Sequence, residues 1–83
     1  MMKAEMQTLD QLPVGSSARI TAMSCTGLAR RRLMDLGILP GVTIAAEMRS
    51  PLGDPVAYRV RGSLIALRAG QAAEIQIEPV EQP

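Results

Sequence analysis

Histidine, phenylalanine and tryptophan are missing from these 83 residues, and tyrosine and cysteine occur once each. Without histidine there is no ready proton shuttle near neutral pH, and Cys25 has no imidazole to activate it as a nucleophile. A lone cysteine cannot form an intrachain disulfide, which suits a reducing compartment. With one aromatic residue the core must be aliphatic and methionine-filled, and stacking of nucleic-acid bases is nearly excluded. Long apolar runs are also missing. The longest uncharged apolar stretch, Leu36 to Ala46, is interrupted by Gly37, Pro40 and Gly41, well short of the about 20 residues that span a bilayer. Met1 to Gln7 carries Glu5 and no apolar run of seven, so it does not read as a secretory signal. The expectation is a soluble, cytoplasmic chain with no membrane insertion.

The residues present suffice for one small domain over residues 1–83, with an ordered core of about 8–79, because 47% of them are hydrophobic. Net charge is +1, unevenly spread: the body from Ser17 to Arg68 carries +5 and the two ends together −4. That distribution can draw an acidic partner surface, and it is also what an ordinary solvated small domain carries.

Turn signals recur every several residues, the spacing of a compact all-β unit. Thr8 to Leu12 reads as one helical turn capped by Thr8 and closed by Pro13-Val14-Gly15. Ser17 to Met23 alternates, with Ala18, Ile20 and Ala22 on the inner face. Val42 to Arg49 does the same with Val42, Ile44, Ala46 and Met48, and a third row follows with Val56, Tyr58 and Val60. Arg61-Gly62 fits a two-residue hairpin turn into Ser63 to Arg68. Ala69 to Ala72 reads as a turn and Glu74 to Glu78 as the last strand. Between the first two main strands the period changes: Ala29, Leu33 and Leu36 make one helical stripe, with Arg30 and Arg31 pointing away. Gly37 fits the left-handed position after this helix, Ile38 then meets Leu33, and Pro40-Gly41 fits a type II turn. The expected fold is mainly β, a small five-stranded barrel, rolled to remove exposed edges, with one α-helix plugging an open end through Leu33 and Leu36.

Arg32-Leu33-Met34-Asp35-Leu36-Gly37-Ile38-Leu39-Pro40-Gly41, followed by Leu52-Gly53-Asp54-Pro55 and Leu64-Ile65-Ala66-Leu67-Arg68, resembles the FeoA family from about Leu9 to Ile77. The module also resembles the C-terminal domain of iron-dependent DtxR-type repressors. The resemblance implies a small cytoplasmic SH3-like protein that accompanies FeoB, the ferrous-iron transporter, docking on its cytoplasmic region and modulating it. Each part of the signature has a structural job as well: Leu33 and Leu36 pack, Gly37 ends the helix, and Pro40 and Gly41 turn the chain.

Catalysis lacks parts. Asp35, Glu47 and Asp54 are far apart in sequence, and the Gly37 to Gly41 segment has neither the Gly-x-Gly spacing nor the lysine of a phosphate cradle. No cofactor and no dedicated metal site are expected, since ferrous ion calls for imidazoles, carboxylates or several thiolates. Cys25 with a neighbouring molecule's carboxylate offers at most an adventitious zinc site. Nucleic acid is not an expected partner at this net charge. Protein recognition remains: Arg30, Arg31 and Arg32 spread around the helix, their guanidinium forks suit carboxylates, and Met34 and Leu52 complete a candidate patch. The alternative places Met34 in the barrel mouth and Leu52 over its other end. A separately encoded regulatory module that binds a peptide, or pairs with itself through an edge strand as a homodimer, is the second reading.

Overall fold

The computed structural model describes residues 7–80; the expectations for Met1 to Met6 and for residues 81–83 lie outside them. Six strands form one antiparallel sheet: β1 (Gln7–Thr8), β2 (Ser17–Met23), β3 (Thr43–Arg49), β4 (Val56–Val60), β5 (Ser63–Leu67) and β6 (Ile75–Pro79), in the order β1-β6-β2-β3-β4-β5. Two departures from the expected barrel follow. There are six strands rather than five, because Gln7 and Thr8 pair with Ile77 and Gln76. The sheet also remains open, with β1 and β5 as its edges. Strands this short curl around a core without bringing the two edges into register.

The helix expected between the first two long strands is α1 (Gly27–Asp35). The segment read as a plain turn, Ala69–Ala72, is a single helical turn, α2, and Leu9–Gln11 forms a 3-10 turn. The Thr8 N–H donates to Gln11 Oε1 at 3.5 Å at the entry to that turn, the returning half of a capping box.

Leu9, Ile20, Ile38, Ile44, Tyr58, Val60, Leu67 and Ile75 fill the core, and no charged or polar residue is buried among the described residues. Two inward rows change phase along their strands. In β2 the pairing to β6 shifts between Ile20 and Ala22, so that Met23 is buried where alternation points it outward. In β3 the shift falls between Ala46 and Met48, and Met48, expected inside, is 58% exposed. A bulge adds one residue to one strand and reverses every side chain beyond it. The β4–β5 hairpin turns through Arg61 (φ 51°) and Gly62 (φ 87°), both left-handed as a type I′ turn requires.

Candidate functional site

The helix α1 is fixed to the body at few points. Leu33 is its one buried residue. Its C-terminus is closed by a double clip, the Gly37 N–H donating to Met34 O at 2.9 Å and the Ile38 N–H to Leu33 O at 3.0 Å, with Gly37 at φ +96°. These two bonds and the left-handed residue make a Schellman motif, in which Ile38 and Leu33 meet beneath the last turn. A Cβ on Gly37 would lie 3.7 Å from Arg61 and Val60, so space there is adequate and the constraint is the backbone conformation. The chain then turns through Pro40 and Gly41, the Val42 N–H donating to Leu39 O at 3.2 Å with Gly41 at φ +94°.

The motif corrects the expected stripe. Leu36 does not plug the sheet: it is 48% exposed, and Ala29 is exposed too. The fully buried Ile38, brought back under the helix by the Schellman turn, occupies the space that the periodicity assigns to Leu36.

Arg30, Arg31 and Met34 come together with Gly27 and Asp35 around an open depression of 420 Å³ on one flank of α1. Arg31 is exposed and Met34 is 37% exposed. Arg30 is half-buried rather than pointing away, and its Nη1 donates to Met23 O at 3.2 Å, binding the helix to the end of β2. By helical phase Arg32 lies about 160° around α1 from Arg30 and Met34, between Leu28, 72% exposed, and Leu36. None of the three arginines forms an ion pair among the described residues. Sequence reasoning passed over Leu28; its signal is its position off the Ala29-Leu33-Leu36 stripe.

Leu52 does not join this cluster. It is 94% exposed at the tip of the β3–β4 loop and lines no part of the depression around Arg30, Arg31 and Met34; all seven residues of β3 lie between α1 and that loop in the chain. That loop is held firmly. The Gly53 N–H donates to Ser50 O at 2.8 Å and the Ser50 N–H to Pro55 O at 3.1 Å. Arg49 Nη1 donates to Gly53 O at 3.4 Å, and Asp54 Oδ1 accepts the Ala69 N–H at 2.7 Å.

Among the described residues no three His, Cys, Asp or Glu side chains gather as metal ligands would, and Cys25 is a buried free thiol. Burial pushes the Tyr58 phenol above 10.0, against a smaller opposing pull from Arg49. Its hydroxyl donates to Leu9 O at 3.5 Å. Tyr58 therefore belongs to the core and not to a reactive centre.

An open antiparallel sheet around an apolar core, with a basic helix and a hydrogen-bonded loop on its surface, is a small mainly β domain. The FeoA domain model matches residues 7–79, and the chain belongs to the FeoA family. It is 36% identical over 70 residues to the Fe(2+) transport protein A/Fe(2+) transporter FeoB fusion protein of Porphyromonas gingivalis, a match covering 84% of this chain and 8% of that protein. The chain thus spans under a tenth of that curated relative. The solution structure of FeoA from Chlorobium tepidum superposes with a TM-score of 0.85 at 32% identity, covering 90% of this chain and 71% of that one. The crystal structure of Stenotrophomonas maltophilia FeoA complexed with zinc, a prokaryotic SH3 domain protein, does so with a TM-score of 0.77 at 26% identity, covering 87% and 89%.

Proposed function

We propose that this chain is a non-enzymatic cytoplasmic accessory module of ferrous iron uptake that docks on the cytoplasmic region of a FeoB-type transporter and modulates it. One observation carries the reading: in the P. gingivalis relative this domain and the transporter are a single fusion protein. Fusion holds two modules at high effective concentration, an arrangement of use only if they work side by side. The chain's own chemistry supports a contact role. The arginines of α1 lack acidic partners among the described residues, and guanidinium groups pair well with carboxylates on another surface. Arg31 and Arg32 are the free contributors, Met34 supplies apolar area beside Arg31, and Leu52 provides a separate contact on the β3–β4 loop. No helix among the described residues is long and apolar enough to cross a membrane, which suits a part acting on the transporter's water-facing region.

Calorimetric titration of the chain with the soluble cytoplasmic region of FeoB tests this. Saturable binding is expected, weakened about ten-fold by Arg31→Glu, since reversing one interfacial charge is worth about 1.4 kcal/mol or more. Absence of heat and of co-elution at concentrations up to about 0.1 mM contradicts it. Ferrous ion titrated into the chain alone should give no stoichiometric site.

One observation favours a second reading, the module that pairs with itself or takes an extended peptide. The β5 edge is unpaired and carries Leu64, which is exposed, a template for strand addition. Light scattering across a concentration series separates a homodimer from a monomer.

A further inference from the structure

We propose that Leu28, Arg32 and Leu36 form a docking seam for a helix of the partner protein, one that carries a carboxylate flanked four residues away on each side by an apolar side chain. This deepens the docking reading above and rests on it. It keeps Arg32 from that reading's patch and adds Leu28 and Leu36, none of the three lining the depression around Arg30, Arg31 and Met34.

The three residues recur at every fourth position. Each step of four advances the helix by about 40° beyond a full turn, so they occupy an arc of about 80° along about 12 Å of axis. All three are exposed, and Arg32 has no ion pair among the described residues. Both leucines stay outside for structural reasons: Leu28 lies about 140° around the helix from buried Leu33, and the Schellman turn has filled the space beneath the last turn with Leu33 and Ile38, which leaves Leu36 outside. What remains is a row of spacing four, apolar then basic then apolar. Rows of this spacing are the ridges that one helix inserts into the grooves of another.

The charge at the centre selects the occupant. If a second copy packed on the seam through a two-fold axis, Leu28 would meet the other Leu36, but Arg32 would face Arg32, a like-charge contact that disfavours this arrangement. A phosphate backbone would answer Arg32 and leave both leucines in water. A helix with Glu or Asp opposite Arg32 and an apolar residue on either side satisfies all three. Because the row is symmetric about Arg32, either chain direction serves. Asp35 lies beside the row and forms no ion pair with Arg32, so a partner carboxylate has the guanidinium to itself.

The test is an NMR titration of the 15N-labelled full chain with a lactam-bridged helical peptide bearing Leu-x-x-x-Glu-x-x-x-Leu on one face, and with its Glu→Lys counterpart. Saturable shifts centred on Leu28, Arg32 and Leu36 are expected, with the lysine peptide about five-fold weaker or more, and with loss of the response in Leu28→Gln, an exposed position where folding is not at stake. No saturable response, equal affinity for the two peptides, shifts centred on Met34 or Leu52, or concentration-dependent shifts of the seam without peptide would each overturn the assignment. The same variants titrated with the cytoplasmic region of FeoB separate the two claims. Binding that ignores both Leu28→Gln and Leu36→Gln removes the seam and leaves the docking reading standing. Wild-type chain that fails to bind removes the docking reading, and the peptide result then decides the seam alone.

Discussion

The sheet and the helix α1 divide the chain's chemistry between them. In the sheet, Ile20, Ile44, Tyr58 and Ile75 are buried, and the outward charges other than Arg49 are paired, Arg19 with Glu78 at 3.2 Å and Arg59 with Glu47 at 3.0 Å. In α1 and its C-cap residue one side chain is buried, the large apolar Leu28, Met34 and Leu36 are exposed, and three arginines have no acidic partner among the described residues. A helix kept for stability would bury a full stripe and pair its charges. This one holds on through Leu33, its Schellman turn and the Arg30 bond to Met23 O, and presents the other side chains to solvent.

Stability measurements sharpen that contrast, and the largest effect belongs to the sheet. Ile44→Ala should cost about 2–5 kcal/mol in urea unfolding, the range for deleting a buried isoleucine side chain; a loss under about 1 kcal/mol would mean that the core tolerates cavities unusually well. Alkaline pH should act next. Burial raises the Tyr58 phenol above 10.0, so the folded chain keeps a proton that the unfolded chain releases. Stability is then full below pH 10 and falls by up to about 1.4 kcal/mol per pH unit as pH climbs toward the folded value. With one tyrosine and no tryptophan, near-ultraviolet tyrosinate absorbance reports that single group, and an ordinary exposed-tyrosine titration would contradict the assignment.

Gly37→Ala should follow at about 1–2 kcal/mol, the cost of placing a Cβ in the left-handed region, read by thermal unfolding. Asp54→Ala removes the acceptor for the Ala69 N–H and should cost about 0.5–1.5 kcal/mol, with faster amide exchange at Ala69 as its local signature. Smallest of all, Leu28→Gln should leave stability within about 0.5 kcal/mol, as exposed substitutions do. A large loss there would make α1 part of the core after all.

Period and turn chemistry made much of this architecture legible. The Val56-Tyr58-Val60 row, the Arg61-Gly62 hairpin and the helix stop at Gly37 depend on local rules, and neighbours in sequence determine them. The misreadings are non-local. The bulges that bury Met23 and expose Met48 exist because β2 and β3 must bend to pair on both sides, and no residue in either strand announces it. The open sheet edge likewise depends on whether β1 and β5 meet, a matter of accumulated twist. In the candidate site, the arginines stand out by charge and Met34 by position. The exposure of Leu36 does not, because periodicity cannot foresee that Ile38, beyond the helix end, takes the inner place. Leu52 and Arg31 share only their character, and β3 stands between them in the chain.

The most direct test of α1 as the recognition element is chemical-shift mapping of the 15N-labelled chain against the soluble cytoplasmic region of FeoB. Perturbations should concentrate on residues 27–36, with β2 and β6 unmoved. A saturating complex whose shifts fall only on the β5 edge or on residues 50–55, leaving α1 unchanged, would contradict the account.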